Sequence, residues 1–317
     1  MTVYVARRLL LSIPLLFGIT AIIFFLAHHL PGGPLAMYLN TASVTAEQLQ
    51  HLTVQLGLDK PVYVQYVEWL GRAVHGDFGR SFADGRPVLA VIFERLPATL
   101  ELMGASFALS AILAFAVGIT SALRRDSLFD YAVTVISYAG MSMPIFWLGI
   151  LAIMLFGANL HWLPTAGMGT AGQPYSLSDN MRHLILPMCV LAAFTLAQES
   201  RYVRASMLDV VGQDYIRTAR AKGLAERTVI LKHALRNALI PVVTVMTLDA
   251  AYLLSGALVT ETVFAWPGMG RLFYDSLREG NYPVVVGIAV MVSVLVVLLN
   301  IVADVLYGVL DPRIKYH

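Results

Sequence analysis

The residues of this sequence that could do chemistry include a compact basic segment at 214–223, which reads Asp-Tyr-Ile-Arg-Thr-Ala-Arg-Ala-Lys-Gly. Asp214 at its start suits the positive end of a helix, either as the N-cap or in the first turn. Arg220 and Lys222 suit the negative end, and Gly223 can adopt the positive φ that ends a helix. The pattern predicts a short basic helix of roughly two to three turns.

Two interpretations of this predicted helix stay open. In the first, Tyr215 and Ile216 anchor the helix in a groove of another protein while arginines such as Arg217 pair with carboxylates there. In the second, the segment is an ordinary basic loop that binds anionic lipid headgroups. The succession of cap, helix and glycine favours the docking interpretation. A second helix is predicted to start near residues 225–226 and to continue into the next apolar run.

Acidic residues in apolar surroundings form the second chemical group. Asp249 interrupts the charge-free run 237–260, and an intramembrane charge costs about 3 kcal/mol on insertion scales. It is predicted either to line or gate a pathway, or to hydrogen-bond between helices. Glu261 precedes an aromatic turn, for which a gate role and interfacial anchoring by Trp266 are both open. Glu199 is expected near a span end, within reach of the interface.

Several chemistries lack their residues. The sequence contains no G-x-x-x-x-G-K-[ST] phosphate loop, no H-E-x-x-H and no G-x-S-x-G. We therefore expect no catalytic residues, and any ATP would bind to a partner. His28 and His29 are adjacent and cannot share one helical face, so no metal site is expected. Cys189, the single cysteine, is interpreted as an apolar packing residue.

The elements that must position these residues are membrane spans. Hydrophobic residues make up 58% of the chain and charged residues only 13%, about half the share of a soluble domain. Charge-poor runs long enough to cross a bilayer predict six spans, at 9–29, 98–123, 131–158, 183–205, 237–260 and 283–308. The 201–236 loop holds eight of the Lys and Arg residues, which predicts that this loop and both termini are cytoplasmic.

The segment 30–97 is predicted to form a small external helical unit. Thr45-x-x-Gln48 is a capping-box pattern for a helix that stops near Gly57. A second helix is predicted from Pro61 to about Gly76, and a third, short one after Pro87. The unit could cap the bundle, or it could meet an external partner or gate the outer mouth.

The spacing Ala219-x-x-x-Gly223 before the penultimate span resembles the EAA loop of type I ABC importer permeases, although Arg217 and Thr218 replace the usual Glu and first Ala. The variant resembles the dipeptide/oligopeptide/nickel branch, of the DppB/OppB type. Further similar segments lie in the same order along the chain, at 4–9, 56–61, 76–81, 94–99, 256–264 and 311–313.

The resemblance implies an all-α integral membrane protein with six transmembrane helices in the type I ABC importer fold, and an external helical segment after helix 1. The implied organisation is an N-terminal helix at 1–30, the external segment at 31–96, a transmembrane domain at 97–310 with its coupling loop at 206–236, and a cytoplasmic tail at 311–317. The implied function is a permease subunit for di- and oligopeptides, driven by ATP. Alternatives are nickel, glutathione or another solute, or an ion-driven secondary transporter, for which the sequence shows neither an internal repeat nor a pair of broken spans.

The resemblance also implies partners in the cytoplasmic membrane of a prokaryote. These are a second homologous permease subunit, two cytoplasmic subunits that bind ATP and Mg²⁺, an external substrate-binding protein and the lipid bilayer, with no nucleic acid. Coupling to the ATPase is assigned to Asp214, Tyr215, Arg217, Thr218, Ala219, Lys222 and Gly223. Asp249 and Glu261 are the candidates for pathway or gate.

Overall fold

The computed structural model describes residues 2–29, 33–39 and 45–310, and helices dominate them, as expected. The helices are α1 (Thr2–His28), α2 (Ala36–Leu39), α3 (Ala46–Gln55), α4 (Val62–Val74), α5 (Val88–Leu123), α6 (Leu128–Ser142), α7 (Ile145–Ala152), α8 (Leu177–Val211), α9 (Asp214–Ala221), α10 (Glu226–Thr228), α11 (Leu235–Val263), α12 (Met269–Glu279) and α13 (Tyr282–Leu310). A 3₁₀ turn occupies Gly33–Leu35, and π-helical turns occupy Ile153–Asn159 and Val229–Ala234.

Among the described residues, four helices are long and apolar enough to cross a membrane, namely α1, α5, α8 and α13. Two further candidates are bent pairs: Leu128–Ser142 with Ile145–Asn159 turns by 105°, and Glu226–Leu239 with Pro241–Ala251 turns by 45°. Counting each pair as one span gives up to six, by length and composition alone. The predicted span at 131–158 is not one straight helix, because Pro144 lacks an N–H and the residue before it adopts an extended conformation. The expectation of no broken spans is wrong.

The helices predicted between spans one and two are mostly confirmed. The Thr45 hydroxyl accepts from the Gln48 N–H at 3.3 Å, and the Gln48 side chain accepts from the Thr45 N–H at 2.9 Å, which completes the capping box. Gly57 has φ +67° just beyond α3, and α4 follows Pro61. The separate short helix after Pro87 is wrong. The backbone continues through Pro97 as the single helix α5, whose first turns bury Val88 and Ile92.

The chain divides into two compact units. One of them contains Ala6–Leu100 and Pro267–Val297. Its core joins α1, α4 and α13 through Phe24, Tyr66, Trp69 and Val286, and it also holds α5 and α12 residues. The backbone N–H of Phe82 donates to the Asn281 carboxamide at 3.0 Å, which ties the turn before α5 to the start of α13.

The other unit contains Glu101–Trp266. Its helices α5 and α8 approach closely at Gly118, where a Cβ atom would lie 2.7 Å from the Ser200 carbonyl oxygen. A side chain at this position would therefore force the two helices apart. Helices α8 and α11 supply much of this unit's core, and α9 packs on the same core.

Candidate functional site

Helix α9 forms where the basic segment predicts it. Gln213 is the N-cap and Asp214 lies in the first turn, so the alternative in which Asp214 is the cap is wrong. Lys222 is the C-cap, and Gly223 has φ +76° with its N–H bonded to the Arg220 carbonyl at 2.9 Å. The eight-residue helix thus ends at a glycine, which adopts a positive φ without the steric cost of a Cβ atom.

One face of α9 is buried in the chain's own core. Ile216 is 0% exposed and Ala219 is 7% exposed. Their cluster is completed by residues from α5, α8, the π-helical turn and α11, namely Ala122, Val203, Met207, Val229, Ala234, Ala238, Val242 and Met246. Ile216 is therefore not available as an anchor for another protein, contrary to the docking interpretation. It fixes α9 to the helices behind it instead.

The opposite face of α9 is open. Tyr215 is 42% exposed, and its hydroxyl accepts a hydrogen bond from the Asn237 side chain at 2.8 Å. The side chains of Asp214 and Arg217 are 95% and 76% exposed and lie 3.6 Å apart. Thr218 and Lys222 are exposed as well. The exposed surface thus carries one aromatic ring, hydroxyl groups and both signs of charge.

Arg220 has an intramolecular role. Its guanidinium donates two hydrogen bonds to the Glu226 carboxylate, at 3.1 and 2.7 Å. These bonds raise the pKa of Arg220, and they close the turn between α9 and α10. The docking interpretation pairs such arginines with carboxylates of another protein. Arg220 pairs within the chain, so Arg217 is the arginine of α9 that best fits that assignment.

Asp249 lies on α11 and is 7% exposed. Both of its carboxylate oxygens accept from the Gln198 side-chain amide on α8, at 3.2 and 3.3 Å. This contact is the interhelical hydrogen bond that one of the two interpretations of Asp249 predicts. It shows a polar link between the helices and leaves the pathway role a proposal.

Glu199, the neighbour of Gln198, was expected near the interface and is instead fully buried on α8. Within the described residues, neither of its carboxylate oxygens has a hydrogen-bond partner of good geometry. Ser110 of α5 faces it, but the Ser110 hydroxyl donates to the Phe107 carbonyl at 3.0 Å. Sequence position could have identified this residue, since it lies several residues inside the predicted span 183–205.

The turn after Glu261 is buried rather than interfacial. Glu261 and Trp266 are 0% exposed and Phe264 is 1% exposed, so interfacial anchoring by Trp266 is wrong. The Trp266 N–H bonds the Glu261 carbonyl at 2.9 Å, and Ala265 takes the positive φ of +50° that the tight turn requires. The aromatic residues of the turn therefore pack inward and hold the end of α11.

Two protein families match successive parts of this chain. The family described as "Binding-protein-dependent transport system inner membrane component" matches residues 114–316, and the N-terminal family of the same systems matches residues 1–103. This chain belongs to that family of inner membrane components.

Similar curated proteins cover the full chain. The oligopeptide transport system permease protein AppB of Bacillus subtilis (strain 168) is 44% identical, covering 100% of both chains. The di/tripeptide transport system permease protein DppB of Pseudomonas aeruginosa (strain UCBPP-PA14) is 41% identical and covers 99% of this chain and 98% of its own. The glutathione transport system permease protein GsiC of Escherichia coli O1:K1 / APEC is 42% identical over 99% of both.

The fold matches a solved structure. A chain of the MetNI methionine ABC transporter, solved in inward-facing conformations, aligns with a TM-score of 0.57 at 19% identity. The alignment covers 70% of this chain and 97% of the other. The match confirms the predicted type I importer fold.

Proposed function

We propose that this chain is the membrane-spanning permease subunit of an ABC importer that moves di- and oligopeptides across the cytoplasmic membrane. The full-length similarity to an oligopeptide permease at 44% identity carries the proposal. The chain itself contains no phosphate loop, so in this proposal ATP and Mg²⁺ bind to partner subunits.

In this proposal α9 is the coupling helix and the ATP-binding subunit holds its open face. Asp214, Tyr215, Arg217, Thr218 and Lys222 present that face to the partner. The buried face transmits the movement, because Ile216 and Ala219 pack against α8 and α11 in one cluster. A displacement of α9 must therefore shift these helices or break their packing.

The turn at Gly223 and the fork between Arg220 and Glu226 make α9 a rigid lever within the proposal. A flexible loop would absorb the displacement that ATP binding produces in the partner. In contrast, α9 ends sharply at Gly223, and the ion pair between Arg220 and Glu226 links it to α10. A displacement of α9 is therefore passed on to the next helix. Two arrangements of the spans, facing inward and outward, are then biased by the state of the ATPase.

The partners in the proposal are a second homologous permease subunit, two cytoplasmic ATP-binding subunits and an external substrate-binding protein. Both termini and the α9 loop are assigned to the cytoplasm, on the basis of the basic residues at 201–236. Asp249 and Glu261 stay the candidate pathway or gate residues. The hydrogen bond between Asp249 and Gln198 would then be one that opening of the bundle breaks.

A second candidate cargo is glutathione, because the glutathione permease is as similar as the dipeptide permeases. Transport by the complex, reconstituted together with its binding protein, distinguishes the peptide cargo from the glutathione cargo. We expect ATP-dependent uptake of labelled di- or tripeptides, and a rise in the binding protein's melting temperature with those peptides. If the complex takes up only glutathione, and only glutathione raises the melting temperature of the binding protein, glutathione is the cargo. Uptake that a protonophore abolishes while ATPase inhibition has no effect would contradict the ABC assignment.

A further inference from the structure

A cavity of about 580 Å³ lies in the unit formed by Ala6–Leu100 and Pro267–Val297. It is bounded by the end of α1, by α4, by the turn 77–85 and by the start of α13. Its volume is within the range of roughly 300–1,000 Å³ typical of small-molecule sites. Neither the coupling helix nor the candidate gate residues take part in it.

Aromatic rings form much of the wall. Phe24 and Trp69 are 3% and 8% exposed, and their ring centroids lie 5.5 Å apart. Phe78 meets Trp69 edge to face at 6.1 Å, and Tyr282 closes the α13 side. Such a surface favours an apolar or aromatic group of a ligand. Removal of that group from water and its contacts with the rings both stabilise the bound form.

The inner polar groups of the cavity are satisfied by one another. The Gln65 amide nitrogen donates to the Lys60 carbonyl at 2.8 Å, so its oxygen accepts from His28 Nε2 at 2.9 Å. His28 Nδ1 lies 2.6 Å from Tyr282 Oη and 2.9 Å from the Phe24 carbonyl oxygen. These groups therefore hold the wall together.

The charged groups at the cavity differ in their partners. Glu68 pairs with Lys60 at 2.6 Å, Asp77 accepts from the Gly79 N–H at 2.9 Å, and Arg80 donates to the Gly85 carbonyl at 2.9 Å. The side chain of Arg72 also lines the cavity and is exposed. No hydrogen bond or ion pair of the Arg72 guanidinium exists with any residue of the described ranges. Among the lining residues that the structure describes, Arg72 therefore places an unpaired guanidinium beside the aromatic wall.

We propose that this cavity binds the C-terminal end of a short peptide whose last residue is apolar or aromatic. The side chain packs on Trp69 and Phe78, and the carboxylate pairs with Arg72, whose planar guanidinium fits a carboxylate bidentately. The inference rests on the proposed peptide function. It adds a binding site on the permease, separate from the external binding protein and preferring a free C-terminal carboxylate.

The test uses the permease–ATPase complex in phosphatidylcholine nanodiscs without its binding protein, titrated with Ala-Phe and with Ala-Phe-amide. We expect saturable calorimetric binding of Ala-Phe and about tenfold weaker binding of the amide, which corresponds to about 1.4 kcal/mol. Arg72→Gln should weaken Ala-Phe by the same factor and leave the amide unchanged. Arg278→Gln, an exposed arginine outside the cavity lining, is the matched control and should change neither.

Three outcomes would overturn the proposal: equal affinity of acid and amide, an Arg72→Gln variant that binds Ala-Phe like the parent, or no binding at all. A fourth is displacement of Ala-Phe by phosphatidylglycerol in the nanodisc, which would make a lipid headgroup the occupant. Peptide uptake by the complete importer is measured in parallel. Uptake without binding here refutes the cavity proposal alone, whereas absence of peptide uptake refutes the proposed function.

Discussion

Arg204 of α8 donates two hydrogen bonds of 2.6 Å to Asp130 of α6, from Nε to Oδ1 and from Nη2 to Oδ2. Asp130 is 3% exposed and also accepts from the Ser121 hydroxyl and from the Asp126 N–H. The carboxylate therefore joins the end of α5, the following turn and the start of α6 to α8. Arg204 lies next to Val203, which packs in the core that carries α9.

Removing the charge of Asp130 should destabilise the protein. Asp130→Asn removes the buried partner of the half-buried Arg204 guanidinium, which costs about 3 kcal/mol. Thermal unfolding of the detergent-solubilised protein measures the loss. The control is Glu68→Gln, which breaks an exposed pair with Lys60 and should cost less than about 1 kcal/mol. Equal losses in the two variants would show that the burial of Asp130 does not matter.

Reversing the charge of Arg217 should uncouple transport from ATP hydrolysis. The side chain is 76% exposed, so Arg217→Glu should leave folding and insertion intact while repelling carboxylates of the ATP-binding subunit. We expect at least about a tenfold loss of peptide uptake, which corresponds to about 1.4 kcal/mol. Arg124→Glu, another exposed arginine on the predicted cytoplasmic side, is the control. Parental uptake and ATPase stimulation in Arg217→Glu would refute the coupling role.

Substitutions at Gly223 should separate backbone strain from side-chain size. No atom lies within 4 Å of a Cβ placed there, but φ is +76°, so Gly223→Ala should cost about 1–2 kcal/mol. Gly223→Pro also removes the N–H bond to Arg220 and should abolish transport with insertion intact. Gly212 has φ −78°, and Gly212→Ala should therefore be tolerated. Unfolding and uptake assays on the three variants measure these effects. Transport by Gly223→Pro at the rate of the parent protein would contradict the rigid-lever proposal.

Replacing Glu199 should not weaken the fold. Neither carboxylate oxygen has a hydrogen-bond partner of good geometry among the described residues, so Glu199→Met should keep or raise the unfolding temperature by removing a buried polar group. Asp249→Leu should lower it, because the Gln198 amide would lose both oxygens that it contacts. A marked loss of stability in Glu199→Met would show that Glu199 has a stabilising partner in the assembled complex.

Sequence rules located the local features of the site and missed the long-range ones. The capping box at Thr45 and the glycine stop at Gly223 depend on neighbours within a few residues, and both are present. The pair Asp130–Arg204 joins residues 74 positions apart, which no local pattern specifies. The burial of Ile216 was missed for a related reason. An eight-residue helix shows two opposite faces, and only tertiary packing decides which one is covered.

The bend at Pro144 was also beyond the composition argument. Both halves are apolar, and hydropathy counts residues without sensing direction. A proline within an apolar run is compatible with a kinked span or with two separate helices, because neighbouring helices can satisfy the freed carbonyls. The 105° turn is therefore a property of packing rather than of composition.

The polar and charged residues of α8 affect how this helix inserts into the membrane during synthesis. Besides the buried Glu199, this helix carries Arg201 and Arg204 close to its apolar stretch, and each is costly in lipid. Helices α5 and α6 are synthesised earlier and bring Asp130 for Arg204, whereas α11 with Asp249 emerges later. We expect α8 to enter the bilayer efficiently only after α5 and α6 are in place. Truncated chains with glycosylation reporters measure this order of assembly during biosynthesis.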